Sequence, residues 1–408
     1  MRLVTCLGAP FSVRGGGHSQ NPGFQSNNDG VVIALEKFNQ VQLSGDKKTA
    51  DVGVGLRWID VYAALESSGL TVTGGRVPSV GVPGLILGGG ISFQNGEKGL
   101  GCMGVTEFEV VLADGSIVQA TQQRNPDLFW ALKGGQANFG VVTRIHMLTV
   151  SNQIWAEGRM YAPTENTKLL GALMEYHKAN EKDPKATLIW YTVPTGSLLV
   201  FVYNAPTKPT TFDAFADIPF LMNIIPPGTA TVYQTMQAIA GVLNPNKLIH
   251  EMRTMSSLPD HEMYLAVEAE RVRQNALVAD IEDCTLTMVI QPFTAGTVTA
   301  GDAMGGTPLG IKPVTQQWFL VMADWKNEAD TPRVRAAVKA IVDVAEAESK
   351  AHGTYQQYKY ANYADYDQNP LASYGAGNLA KLKQIAKKYD PQQVFQKLQY
   401  GGWKVSKA

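Results

Sequence analysis

Of the chain's 40 glycines, 25 stand in its first 150 residues, where they gather into three runs. These are RGGGHS (Arg14 to Ser19), VPSVGVPGLILGGG (Val77 to Gly90) and LKGGQANFGVVT (Leu132 to Thr143). Without a Cβ, glycine enters left-handed conformations freely and lets backbone N–H groups approach a ligand closely. Successive N–H groups can then form a nest for an anion. The first third of the chain is thus expected to turn tightly around something bulky and negatively charged. Two common answers are excluded. No glycine leads into Lys-Ser or Lys-Thr at the spacing of a phosphate-binding P-loop. None has the strand-turn-helix context, with an acidic residue about 20 positions on, that a dinucleotide fingerprint requires.

Between the runs the pattern is α+β. GVVIALEKF and TADVGVGL read as strands, RWIDVYAALESSG as a helix closed by Gly69, and EFEVVLADGSIVQAT as a hairpin turning at Asp114-Gly115. From Ser151 the texture changes. IWAEGRMYA, LIWYTV, LLVFVYNA, TLTMVIQPF and QQWFLVMADW read as strands of one sheet. TPRVRAAVKAIVDVAEAESKAHG reads as a helix capped by Thr331 and stopped by Gly353, with Val334, Val338, Ile341 and Ala345 on one face. A last helix, NLAKLKQIAKKYD, ends before Pro391 and turns Leu379, Leu382, Ile385 and Ala386 inward. The expected division is 1–150, 151–355 and 356–408, the last segment returning to the first.

Length and composition agree with two domains, since 408 residues with 45% hydrophobic content can bury a sizeable core. A net charge of -1 gives no basic field for nucleic acid or an anionic membrane. Cys6, Cys102 and Cys284 are too scattered for a disulfide framework or a metal motif and are expected to be buried thiols. No apolar run reaches the roughly 20 residues of a membrane span. MRLVTCLGAPFSV is a poor signal peptide. As written, the chain is expected in the cytoplasm, or secreted or endomembrane if its native start is longer. His250 and His261 each open an H-E sequence but lack the second histidine of a zinc motif.

The three runs, in this order, resemble the FAD-binding domain of the berberine bridge enzyme-like oxidases, in the wider vanillyl-alcohol oxidase class. YKYANYADYD (Tyr358 to Asp367) and YDPQQVFQ (Tyr389 to Gln396) are similar to that family's C-terminal motifs. The resemblance implies a two-domain PCMH-type fold: an FAD-binding domain, and a substrate domain of antiparallel sheet covered by helices. It assigns to FAD the positions Arg14, Gly15, Gly16, Gly17, His18 and Ser19 of the first run. In the second run it assigns Pro78, Ser79, Val80, Gly81, Gly84, Gly88, Gly89 and Gly90. Asn138, Gly140, Val141 and Val142 of the third follow, with Asn362 near the C-terminus. The family's histidine bonded to the flavin 8α-carbon falls on His18. Val77 stands where many members carry a second, cysteinyl link, so one tether is expected. Leu85 replaces a frequent histidine, and Gln136 and Ala137 replace glycines. Members also carry further strands and a helix before the first run, where this chain has thirteen residues, so a shortened start and an incomplete first lobe are expected.

A flavin oxidase needs a C–H bond held beside the cofactor, a group to take a proton, and access for oxygen. The family's Y-x-N motif puts the base on Tyr360 and the neighbouring amide on Asn362. An ordinary tyrosine pKa near 10 would have to be lowered by a nearby cation or by the flavin. The expected reaction is oxidation of an alcohol, amine or activated C–H group in a small molecule, with oxygen as acceptor and peroxide as product, in secondary-metabolite biosynthesis. Two further readings stand beside it: a redox-silent isomerase or cyclase using the same pocket, and a binding protein without catalysis. Trp155, Trp190, Trp318 and Trp325 are expected in the core, unless some face the cleft and offer a platform to a flat substrate.

Overall fold

The computed structural model describes residues 1–241 and 248–408. The fold is α+β, with two main antiparallel sheets. In the glycine-rich half the strand order is Val41–Leu43, Thr49–Gly53, Val141–Ser151, Val105–Val111, Ile117–Ala120, and Leu70–Val72 pairs with the end of Val141–Ser151. The expected hairpin forms: Val111 faces Ile117, and Gly115 takes φ +80° at the turn. Trp58–Glu66 is the expected helix, burying Trp58, Val61, Tyr62 and Leu65 at helical spacing, with Gly69 at φ +73° beyond it. A short parallel pair, Phe11–Arg14 with Val31–Ala34, delivers the first glycine run.

The second sheet has eight antiparallel strands in the order Met222–Thr231, Gln153–Tyr161, Gly196–Tyr203, Ala186–Val193, Thr285–Phe293, Gln316–Trp325, Ile249–Ser257, Tyr355–Gln356. All five strands expected from sequence are in it. The other three lacked a hydrophobic signal. Met222–Thr231 is an edge strand with two prolines and two register breaks, a place where proline is tolerated. Ile249–Ser257 buries polar residues, Glu251, Thr254, Ser256 and Ser257.

Both faces of this sheet are covered, and strand alternation sorts the residues between them. Leu188, Trp190, Leu199, Phe201, Met288, Ile290, Phe319 and Val321 pack in the core formed with helices Asn166–Lys182, His261–Leu277 and Thr331–Ala351. Their neighbours Ile189, Val200, Val202, Val289, Trp318 and Leu320 join the core of the glycine-rich half. The inner face therefore looks straight at the glycine runs.

Some details differ from the sequence reading. Asp330, not Thr331, is the N-cap of Thr331–Ala351; the Thr331 hydroxyl instead accepts from Trp325 Nε1 at 3.1 Å. The last helix starts earlier, at Ala376, and Leu379 is only half-buried. Cys102 is buried, but Cys6 is exposed and Cys284 partly so, because Cys6 lies on a short helix, Arg2–Leu7, whose only buried residue is Val4. Among the described residues no helix is long and apolar enough to cross a membrane.

Candidate cofactor and substrate site

The strand Phe11–Arg14 ends where the first glycine run begins, and that run lies directly on the second. A Cβ on Gly16 would come within 2.5 Å of Gly81 Cα and N, one on Gly81 within 2.3 Å of Gly16 N, and one on Gly15 within 2.5 Å of Pro83 Cγ. Two backbones meet here with no side chain between them. Gly17 follows at φ +69°. The N–H groups of Gly15, Gly16, Gly17, His18 and Ser19 donate to no acceptor among the described residues. Five successive free amides are the donor set that a pyrophosphate needs, so the residues present fit the phosphates of FAD.

His18 is the fourth residue of this series. Its Nε2 lies 3.1 Å from Ser79 Oγ, and the Arg57 guanidinium donates to the Ser79 carbonyl. Crowding by the protein depresses the imidazole pKa, and the charges of His250 and Arg57 add to the effect, while a hydrogen bond to its own backbone opposes it. The lowered pKa favours the neutral imidazole, the form in which a ring nitrogen can act as a nucleophile. Val77 offers no sulfur nearby.

The second run continues past Gly81 into the helix Val82–Leu87. Pro78 and Val80 dock it onto the helix Trp58–Glu66, their carbonyls accepting from Ile59 N at 3.3 Å and Trp58 N at 3.0 Å. Gly84 is exposed with nothing near its Cβ position. Gly88 abuts Asn362, where a Cβ would lie 2.0 Å from Oδ1; Gly89 and Gly90 take φ +109° and +85°. The triplet lets the C-terminal Y-x-N segment lie on the glycine-rich half. Asn362 Nδ2 donates to Leu85 O at 3.1 Å and to the Tyr360 hydroxyl at 2.9 Å. Tyr360 is buried beneath Trp318, ring centroids 5.2 Å apart, with Tyr363 edge-on at 4.7 Å. Burial pushes its pKa up and Tyr363 adds to this; Asn362, Arg76 and the Gly90 N–H pull the other way.

In the third run Asn138 is a strut. Its amide donates to Gly135 O and Trp403 O, each at 2.8 Å, and its carbonyl accepts from Val405 N at 3.2 Å and Gln396 Nε2 at 3.0 Å, tying the C-terminal segment down. Gly140 gives way to Val110, whose Cγ1 lies 2.4 Å from its Cβ position, and Val141 and Val142 pair with Val111 and Val110. Gln136 holds φ +61°. The position therefore favours glycine on backbone grounds, and glutamine there is strained.

Of the four strand tryptophans, Trp155, Trp190 and Trp325 pack toward the helices. Trp318 alone faces the site, against Phe293 at 4.1 Å, Tyr358 at 4.8 Å and Tyr360. Two polar residues escaped the sequence reading. Gly74 and Gly75 press onto the Trp58 indole, where added Cβ atoms would come within 2.0 and 2.4 Å, and so aim Arg76 inward. Its guanidinium donates to Gln291 Oε1 on the inner face of the large sheet. The only signal was Arg76's place beside the second run; nothing in the spacing showed that it is buried. Among the described residues no three His, Cys, Asp or Glu side chains gather as a metal site.

Known proteins share this fold. A family model for an FAD binding domain matches residues 1–121, and one for berberine and berberine-like proteins matches 359–399. An FAD-dependent monooxygenase of Arthrobotrys oligospora is 39% identical over 98% of this chain and 78% of its own. Among solved structures, BBE-like 1 of Physcomitrella patens superposes with a TM-score of 0.81 at 20% identity, covering 97% of this chain and 87% of that one. A glucooligosaccharide oxidase of Acremonium strictum, described with a 6-S-cysteinyl, 8α-N1-histidyl FAD, superposes at 0.79 and 19% identity, covering 98% and 86%. The two structures carry the fold, and the monooxygenase carries the kinship: this chain belongs to the berberine bridge enzyme-like family of FAD-dependent oxidoreductases.

Proposed function

We propose that the protein removes two electrons from a small organic substrate, an alcohol, an amine or an activated C–H compound, while FAD is tethered by a single bond from His18. Molecular oxygen is the acceptor and hydrogen peroxide the product, in a tailoring step of secondary metabolism. One observation carries this reading: five successive backbone amides, Gly15 to Ser19, donate to no acceptor among the described residues, and among them stands an imidazole of lowered pKa. Bound FAD supplies the hydride acceptor. The chain does the rest. Gly15 to Ser19 hold the phosphates, Ser79 orients the His18 ring, and Asn362 fixes the Tyr360 hydroxyl as the proton acceptor. Arg76 and the Gly90 N–H favour the phenolate that such a base requires, against the burial that disfavours it.

The test is acid precipitation of the purified protein followed by mass mapping of the peptide that contains His18. A yellow pellet and a peptide heavier by one FAD are expected, and both are lost in His18→Ala. A colourless pellet with an unmodified peptide removes the tether. Absence of flavin absorbance even after reconstitution removes the whole reading. Oxygen uptake matched by peroxide release separates oxidation from the redox-silent alternatives.

A further inference from the structure

Three arginines are buried in the described structure: Arg76, Arg159 and Arg271, at 7%, 8% and 2% exposure. Two of them hold a carboxylate, Arg159 on Glu157 at 2.8 Å and Arg271 on Glu268 at 2.7 Å. Arg76 does not. Its one side-chain partner among the described residues is the neutral amide oxygen of Gln291. A buried lysine can escape the penalty of burial by losing a proton, and burial lowers Lys133 to about 8 and Lys404 to about 7. A guanidinium cannot, and stays charged at any working pH. An isolated buried cation is unfavourable unless something anionic meets it in use.

The surroundings show what would meet it. Gln291 accepts from Arg76 and from the Tyr363 hydroxyl at 3.4 Å, which fixes its oxygen toward them and leaves its buried Nε2 without a partner among the described residues. Gln291 stands opposite Trp318 in the sheet register, and Trp318 lies on Tyr360. Arg76 also bears electrostatically on Tyr62, Tyr191 and Tyr360, opposing in each the rise that burial imposes. Free N–H groups of a planar guanidinium and of an amide thus stand together, bounded by aromatic rings. Such a donor pair suits a planar anionic oxygen group.

We propose that Arg76 and Gln291 receive an anionic oxygen of the substrate, a carboxylate, phenolate or enolate attached to a flat organic body, and so select acidic substrates over neutral ones. This rests on the FAD oxidoreductase reading above and gives that site its substrate class. Arg76 is then a specificity-determining residue.

The test compares benzoate with its neutral isostere benzamide on the purified holoenzyme, by calorimetric titration and by the shift each causes in the flavin absorbance. Benzoate is expected to bind at least tenfold more tightly than benzamide. Arg76→Gln should erase that preference while changing benzamide affinity by less than about twofold, and Arg76→Lys should keep part of it. Gln291→Glu guards against misfolding, because it gives the guanidinium a carboxylate of its own. That variant should be at least as stable as the parent and should lose benzoate binding by more than tenfold through internal competition. Equal affinity of the wild type for both probes, or undiminished benzoate binding in Arg76→Gln or Gln291→Glu, overturns the proposal. So does a loss of flavin in Arg76→Gln with the benzoate preference intact, which would make Arg76 a cofactor contact. Failure of the parent reading looks different: the protein is then colourless, and calorimetry still decides between benzoate and benzamide.

Discussion

The buried cations of the two halves are treated in opposite ways. On the helix-backed side of the large sheet Arg159 and Arg271 close on glutamates, and Glu157 is further held by Asn223 at 3.0 Å. On the glycine-rich side Arg76, Lys133 and Lys404 rest on an amide or on the backbone carbonyls of Met304 and Phe395, with no carboxylate among the described residues. A region that only has to hold its shape satisfies its charges internally. One that has to receive a charged ligand leaves them incomplete, at a cost in stability of the empty state. His177, buried on that side with Nε2 3.2 Å from the Tyr264 hydroxyl, is driven by burial to a pKa of about 3 and adds no charge there.

Breaking a closed pair gives the largest expected effect. Glu157→Gln leaves the Arg159 guanidinium buried without its anion and should destabilise the protein by about 3–5 kcal/mol, with no change in flavin content per folded molecule. Arg76→Met, which removes a cation that has no anion to strand, should cost under about 1 kcal/mol or stabilise. Denaturant midpoints of the two variants measured together decide the matter. Equal losses would mean that the halves do not differ as described.

The next effect is visible in pH. Lys404 has a folded pKa of about 7, lowered mainly by burial and further by Lys407, against an ordinary 10.5. Between those values the unfolded chain binds the extra proton, so stability should rise with pH across that window. Below about pH 7 the folded state carries the full penalty of the buried charge. Lys404→Met should remove up to one proton's worth of slope, about 1.4 kcal/mol per pH unit. Stability measured at pH 7, 8.5 and 10 would show parallel curves for parent and variant if Lys404 is not the source.

This contrast was only half legible in the sequence. The helix Thr331–Ala351 and the five long strands could be read because apolar periodicity marks them. Ile249–Ser257 could not, because most of its buried residues are polar and recognisable only from their partners, such as Gln317 Nε2 on Ser257 Oγ at 3.0 Å. The glycine runs announced a close backbone approach, but not that Gly16 and Gly81 approach each other. His18 could be named by its motif. Arg76 and Gln291 lie 215 positions apart and meet only because strand alternation turns Gln291 toward the glycine-rich half.

The glycines themselves give the finest division within that half. Gly16 has backbone atoms of Gly81 within 2.5 Å of its Cβ position, and backbone cannot step aside as a side chain can. Gly16→Ala should therefore cost about 1–3 kcal/mol, and it should lower flavin retention by parting the two runs. Gly84 belongs to the same sequence run but sits exposed within the helix Val82–Leu87, with open space where its Cβ would be. Alanine there has nothing to displace and reduces the freedom of the unfolded chain, so Gly84→Ala should stabilise by about 0.5–1 kcal/mol. Flavin content measured alongside thermal stability sharpens the division further. A stabilised Gly84→Ala that keeps its flavin marks this glycine as one the cofactor never needed, whereas a stabilised variant that loses flavin would place the cofactor in the open space above it.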